Sequence, residues 1–273
     1  MSGSLDRAEI VAALSDQWDA LARLVDGIDE NRWRTPSPLP GWTVFDVLAH
    51  VVGTESMLLG ESIPRPDTDL RAFAHVRNDT GALNEAWLES LRPLSGAGLL
   101  EGFTEVTDRR RKALRDTDDA AWQADIQSPV GLVSYGRFMR VRLFDCWMHE
   151  LDIADALGVR VDEGGARAEF AVDEIEPFLG RTVVKRGKAP DGARVSFALT
   201  GPVRRELHVR VDGRAELVAA LDRPADVVIE LGSGLFARLC GGRVSAREHA
   251  EEITLAGDRE LGQRIVDNLG FTI

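Results

Sequence analysis

The sequence predicts two domains, a bundle of four helices followed by a small α+β domain. Through most of the first 160 residues, apolar side chains recur at steps of three and four positions, which is the period of an amphipathic helix. After Gly158 the pattern changes to the alternation that is typical of half-buried strands. A chain of 273 residues, 44% of them hydrophobic, can bury a core in each of two domains. We therefore place the domains at 1–160 and 161–273.

Two helices are predicted at the start of the first domain. Across residues 5–29 the apolar side chains repeat with the helix period, and a rigid loop containing three prolines follows. Thr43, with Asp46 three positions later, forms a variant of the capping box, which marks the start of a helix. This second helix is expected to run to about Leu59.

The rest of the first domain is predicted to be helical with interruptions. Residues 68–117 carry the helix period, but the pattern is interrupted around Gly81 and again at Pro93 and Gly96. A loop through residues 129–131 leads to Ser134, the expected N-cap of a last long helix that stops at Gly158. Four such helices predict an antiparallel bundle, a scaffold that commonly carries metal sites on facing helices.

The second domain is predicted to mix helices and strands. Residues 159–165 have the composition of a linker, and a connecting helix is expected after it. Three segments alternate between apolar and polar residues, as strands with one buried face do. The expected helices are 167–180, 234–239 and 259–269, and the expected strands are 194–200, 206–211 and 226–231.

Composition narrows the classes of partner. The formal net charge is −12 and the isoelectric point is about 5.0, which disfavours nucleic acid and anionic membranes. The first residues lack the basic start and apolar run of a signal peptide. No run approaches the ~18 apolar residues of a membrane helix, and two cysteines are too few for a disulfide framework. We therefore expect a cytoplasmic protein that binds neither nucleic acid nor a membrane.

Asp145 and His149 are the strongest chemical signal in the chain. They lie four positions apart in a predicted helix, so the carboxylate and the imidazole project from the same face. His50 lies in another amphipathic stretch. If the two helices pack side by side, the three side chains can converge on one divalent ion and leave a coordination position open, as catalytic metal sites do. A local hydrogen bond or a buried histidine would explain each residue separately, but the apolar surroundings favour a bound cation.

Two segments of the chain resemble the sequence signatures of a known protein family. Residues 38–51 read PLPGWTVFDVLAHV, and residues 142–158 place a carboxylate four residues before a histidine and end in Ala-Leu-Gly. Together they resemble the two signatures of the actinobacterial mycothiol-dependent maleylpyruvate isomerase family. The stretches 235–243 and 255–258 are similar to the accessory domain of that family and to its sterol-carrier-like relatives.

The resemblance implies a fold and a ligand set. The fold is a DinB-like metal-binding four-helix bundle with a C-terminal sterol-carrier-like α+β domain. In that family the equivalents of His50, Asp145 and His149 bind zinc. The carboxylate residue in that family is usually Glu, and the side chain of Asp145 is one methylene shorter than that of Glu.

The resemblance also implies a reaction. The metal would bind the thiol of mycothiol as a thiolate, and the thiolate would attack an electrophilic small molecule. The outcome is maleylpyruvate-type cis-trans isomerisation or S-transfer, with mycothiol and the electrophile as partners of a monomer or homodimer. The residues alone leave two other classes open, namely a metal-dependent hydrolase that uses bound water and a non-catalytic metal-containing protein that binds a ligand.

Several residues are further candidates for the site. Tyr135, near the start of the metal-bearing helix, is a candidate donor to the substrate, although a core or rim role is favoured. Arg243, and with less support Arg238, follow apolar helix residues and are proposed to reach a carboxylate on a substrate bound between the domains. Asp152, almost one turn beyond His149, is either an acceptor that orients that imidazole or a surface residue.

Other ionisable residues are expected to have no role in the chemistry. Glu55 and Glu150 are rotated by about 100–140° from the proposed ligands, so we expect them on solvated faces. Cys146 is expected to be a buried, inert thiol, and Cys240 has no adjacent base. The remaining histidines, which show no pattern that predicts a partner, are His75, His208 and His249.

Overall fold

The computed structural model of the protein describes residues 7–271, and the chain divides between Val161 and Asp162 into two compact units. The first unit is helical except for one short hairpin. Its elements are α1 (Arg7–Val25), α2 (Glu30–Trp33), α3 (Val44–Leu58), α4 (Asp79–Leu91), α5 (Gly96–Asp116), α6 (Asp119–Gln123), β1 (Asp125–Ser128), β2 (Gly131–Ser134) and α7 (Tyr135–Leu157).

The four long helices of the first unit form the bundle. Helix α1 packs against α5 and α7, and α3 packs against the same two helices, so α1 and α3 occupy opposite corners. Helix α4 adds to the outside of α3. Because α3 contacts four other helices, α2, α4, α5 and α7, all of its residues from Val44 to Val52 are buried. The predicted four-helix bundle is confirmed.

Side-chain caps determine where the site-bearing helices begin and end. The Thr43 hydroxyl accepts from the amide of Asp46, and the Asp46 carboxylate accepts from the amide of Thr43, which completes the capping box. Ser134 caps α7 by accepting from the amide of Arg137. Gly158 ends α7 at φ 64°, a left-handed conformation that glycine adopts without strain. These boundaries agree with the sequence predictions.

Three parts of the first unit differ from the prediction. Helix α4 begins only at Asp79, because Asn78 caps it by accepting from the amide of Gly81, and residues 68–76 contain just one 3₁₀ turn. Residues 125–134, expected as a loop, form the antiparallel hairpin β1–β2. Helices α2 and α6 are too short to show a helix period in the sequence.

The second unit consists of a helix-flanked sheet. Its elements are α8 (Gly165–Arg181), β3 (Arg194–Thr200), β4 (Arg205–Asp212), β5 (Arg214–Val218), β6 (Val227–Gly232), α9 (Ser233–Cys240), β7 (Thr254–Gly257) and α10 (Arg259–Val266). The strand order in the sheet is β5-β4-β3-β6-β7, with β3 and β6 parallel and the other neighbours antiparallel.

Alternating apolar side chains build the core of this sheet. Val195, Phe197 and Leu199 of β3 are buried, as are Ile229 and Leu231 of β6. Helix α8 packs on β4 and β5, α9 on β3 and β6, and α10 on β6 and β7. The predicted α+β character is therefore confirmed. The two edge strands were not predicted, because they are short and largely accessible to solvent and lack a clear alternation.

Among residues 7–271, no helix combines the length and the apolar content that crossing a bilayer requires.

Candidate metal centre

Three side chains converge inside the bundle, His50 from α3 and Asp145 and His149 from α7. One ligand atom from each lies within 4.8 Å of the other two. The Nε2 atom of His50 is 3.4 Å from Oδ2 of Asp145, and Nε2 of His149 is 3.6 Å from Oδ1 of the same carboxylate. Two imidazole nitrogens and one carboxylate form a donor set that suits zinc and similar divalent ions. We call these three residues the His-Asp-His cluster.

A buried carboxylate orients one of the imidazoles. Asp152 is completely buried, and its Oδ2 lies 2.9 Å from Nδ1 of His149. A proton on Nδ1 is therefore donated to Asp152, which leaves Nε2 directed at the cluster. Of the two roles that the sequence left open for Asp152, the structure supports the orienting one.

Burial and nearby charges shift the pKa values of all three residues. Burial lowers the pKa of His50, and the neighbouring Asp145 offsets this only in part. Burial also acts to lower the pKa of His149, but the carboxylates of Asp145 and Asp152 raise it to about 9. Burial opposes ionisation of Asp145, yet the charges of His149 and Arg142 hold its pKa well below the usual range. A metal ion bound at this cluster would therefore compete with a proton for His149.

Metal affinity is expected to increase with pH. The raised pKa of His149 means that the competing proton is bound below about pH 9 and is lost above it. Between about pH 7 and about pH 9, each pH unit should tighten zinc binding roughly tenfold, with a plateau above. Competition titrations against a chromophoric chelator, corrected for the chelator's own protonation, measure this slope. An affinity that does not change with pH over this range would contradict it.

A tryptophan covers the two imidazoles. The ring of Trp42 lies 5.4 Å from that of His50 and 6.4 Å from that of His149, measured between centroids. The preceding residue, Gly41, has φ +82°, and a Cβ there would lie 2.4 Å from Nδ1 of His75. The loop before α3 therefore needs glycine to bring the indole over the cluster. The sequence motif contained Trp42, but its position did not indicate this contact.

A buried group of charges lies beside the cluster. Oε2 of Glu55 accepts from Nε of Arg110 at 2.8 Å, and Oε1 accepts from Nη2 of Arg142 at 2.9 Å. Nη1 of Arg142 donates to Oδ2 of Asp145 at 2.5 Å. The prediction that Glu55 faces solvent is wrong, because the face of α3 that carries it is covered by α5 and α7.

Comparison with known proteins places the chain in a family. Residues 14–154 match the sequence profile of the mycothiol maleylpyruvate isomerase N-terminal domain, and residues 169–264 match that of the C-terminal domain. The chain belongs to the mycothiol-dependent maleylpyruvate isomerase family.

Individual relatives agree with this assignment. An uncharacterized protein of Mycobacterium tuberculosis, found in strains CDC 1551 and H37Rv, is 31% identical over 159 residues, which are 56% of this chain and 58% of the relative. The chain thus spans less than two thirds of that relative's length. A crystal structure of the mycothiol-dependent maleylpyruvate isomerase has a TM-score of 0.61 at 18% identity, over 92% of this chain and 93% of that one. A histidine-to-alanine mutant of the enzyme has a TM-score of 0.58 at 17% identity, with the same coverage. At such identities the likeness shows the shared fold.

The prediction that Glu150 faces solvent is also wrong, and the three other histidines have partners that no sequence pattern indicated. Glu150 is buried and accepts from Nε2 of Gln17 at 2.7 Å, because α7 packs against α1 on that side. Each remaining histidine contacts a carboxylate or a hydroxyl group. The pairs are His75 with Glu85 at 2.9 Å, His208 with Ser196 at 2.9 Å and His249 with Glu252 at 2.7 Å.

The two cysteines of this family member are unsuited to nucleophilic chemistry. Cys146 and Cys240 are both buried, and burial raises the pKa of each thiol above its usual value. For Cys146 the charge of Arg142 acts in the opposite direction but does not prevent the rise. The expectation that Cys146 is a buried thiol agrees with the structure.

Tyr135 lies apart from the His-Asp-His cluster. It is the first residue of α7, and its position about ten residues before Asp145 corresponds to roughly 15 Å of helix. Its hydroxyl accepts from Nη1 of Arg110 at 2.9 Å, and its ring packs edge-on against Trp122. These contacts support a packing role, and a catalytic role for Tyr135 stays an untested prediction.

The two arginine candidates lie in the second unit, in and just after α9. Nη1 of Arg243 donates to the carbonyl of Gly241 at 2.6 Å. Nη2 of Arg238 forms an ion pair with Glu163 at 2.9 Å. Arg238 is thus engaged by a carboxylate of its own unit. Binding of a substrate carboxylate by Arg243 or Arg238 stays an untested prediction.

Proposed function

We propose that the protein is a metal- and mycothiol-dependent enzyme in which the thiolate of mycothiol attacks an electrophilic small molecule. The observation that carries the proposal is the convergence of His50, Asp145 and His149 in a chain of this family. The reaction is maleylpyruvate-type cis-trans isomerisation or, if the adduct is released, S-transfer.

The cluster is proposed to hold one divalent ion, with zinc as the candidate. When bound, the ion would favour the thiolate form of a thiol at neutral pH. The protein's own groups prepare the site for this chemistry. Burial favours the neutral form of His50, Asp152 directs Nε2 of His149 into the cluster, and Trp42 shields both rings from water on one side. The Asp145 side chain is one-third exposed, so the cluster is accessible from there.

The proposed reaction needs no protein nucleophile. The mycothiol thiolate adds to one carbon of a double bond conjugated to a carbonyl, and the electron pair of that bond moves to the carbonyl oxygen. Rotation about the resulting single bond, followed by expulsion of the thiolate, restores the double bond in trans geometry. If a proton is instead added to the other carbon of the former double bond, the thiol stays attached and the product is the S-conjugate. Both protein thiols are buried, which supports an external thiol.

Turnover with and without mycothiol tests the proposal. With the zinc-loaded protein and maleylpyruvate, omission of mycothiol should abolish isomerisation. The double variant Cys146→Ala/Cys240→Ala should retain turnover within about twofold, since neither thiol contacts the substrate in this mechanism. In the same assay Arg243→Ala should raise KM without changing the metal content. Undiminished isomerisation without thiol would overturn the proposal, whereas hydrolysis of a substrate without thiol would favour a hydrolase that uses metal-bound water.

A further inference from the structure

The side chain of Asp145 lies between Arg142 and the two imidazoles of the His-Asp-His cluster. It is one-third exposed, and at such a position an aspartate can rotate into water. Arg142, one turn earlier on α7, donates from Nη1 to Oδ2 of Asp145 at 2.5 Å. The other carboxylate oxygen, Oδ1, faces His149. Oδ2 therefore accepts from the guanidinium and also faces His50, whereas Oδ1 is directed at His149.

Arg142 is in turn fixed by a buried carboxylate. Its side chain is only 3% exposed, and Nε and Nη2 donate to Oε1 of Glu55 at 3.1 and 2.9 Å. Oε2 of Glu55 accepts from Arg110, so Glu55 is itself held from α5. With two of its nitrogens committed to Glu55, the planar guanidinium directs Nη1 at Asp145.

This chain of contacts links the two helices that carry the cluster. Glu55 lies on α3 with His50, whereas Arg142 lies on α7 with Asp145. The ion pair between Glu55 and Arg142 therefore joins α3 to α7 close to the point where His50 approaches Asp145. A rotation of the Asp145 side chain would break its bond to Arg142, so the orientation is already set before a ligand binds.

We propose that Arg142 is a positioning residue, which holds the Asp145 carboxylate in the orientation that binds the metal and limits it to one free oxygen. The inference rests on the proposed function, because it requires that the His-Asp-His cluster bind a divalent ion. The positive charge of Arg142 would by itself repel a cation. Glu55 offsets that charge, so the contribution of Arg142 is the geometry of Asp145.

Arg142→Met and Arg110→Met form a matched pair of variants. Both remove a buried guanidinium that donates to Glu55, but only Arg142 contacts Asp145. Zinc affinity, measured on the full chain by chelator competition, should fall by about 10- to 100-fold in Arg142→Met, as is typical for groups that orient a ligand. Arg110→Met should stay within about threefold, because it leaves the contact with Asp145 in place. The visible absorption of the cobalt-loaded protein should change only in Arg142→Met.

Two further variants distinguish the possible outcomes, Arg142→Lys and an Arg142 variant in which Asp145 is also replaced with alanine. If Arg142→Met does not fold, Arg142→Lys replaces it; a single ammonium group cannot reach both carboxylates as the fork does, so affinity should still fall. In an Asp145→Ala background, loss of Arg142 should cause little further change. Equal affinities in the matched pair, or tighter binding in Arg142→Met, would overturn the positioning role alone. An unchanged zinc affinity in Asp145→Ala would instead contradict the metal site itself.

Discussion

Replacing His149 with alanine should remove most of the metal bound to the protein. The imidazole supplies one of the two nitrogens in the cluster, and its Nδ1 is already bound by the buried Asp152. Loss of a direct ligand should weaken zinc binding by more than about 100-fold, beyond the effect of losing a group that merely orients one. Elemental analysis after dialysis against a weak chelator measures the retained zinc. His50→Ala should behave in the same way.

His208→Ala is the control for this experiment. It is the same chemical change in the second unit, at a histidine that is partly buried and bonded to Ser196, and it should leave the metal content unchanged. Because His149→Ala also leaves Asp152 buried without its imidazole partner, its thermal unfolding should be recorded alongside. His50→Ala lacks this complication. Stoichiometric zinc in both cluster variants would refute the assignment of the ligands.

The sequence predicted those features that depend on local pattern. Apolar periodicity located the four long helices, and Thr43 and Ser134 marked two of their starts because caps act over three residues. The spacing of Asp145 and His149 placed them on one face of a helix, as the structure shows. The convergence of His50 with this pair depends on how α3 packs against α7. Spacing does not contain that information. The residues alone therefore predicted the convergence only on the condition that the two helices pack together, and the family resemblance implied it.

The buried charges show why other parts of the site were not predicted. Glu55, Arg110 and Arg142 lie on three different helices, so no local pattern connects them. Helical rotation from His50 predicts that Glu55 faces solvent, but rotation defines a face only relative to one neighbouring helix, and α3 has four. The contact between Arg142 and Asp145 can be predicted from the sequence, since Arg142 lies three positions before Asp145 and therefore on the same side of α7.

Glu55→Gln is expected to destabilise the first unit more than an exposed substitution of the same kind. Glu55 is fully buried between two guanidinium groups, and the amide keeps its size but removes the charge that both arginines require. Breaking a buried ion pair from one side typically costs about 3–5 kcal/mol of unfolding free energy.

The matched control is Glu61→Gln, whose partner Arg109 precedes Arg110 in α5 but whose ion pair is partly exposed. This control should change the stability little, because exposed ion pairs contribute little. Tryptophan fluorescence during urea unfolding is a selective readout, since all six tryptophans lie in the first unit. If Glu55→Gln unfolds at the same urea concentration as Glu61→Gln, the two arginines do not depend on the Glu55 charge. Arg142 would then need another explanation for its fixed orientation toward Asp145.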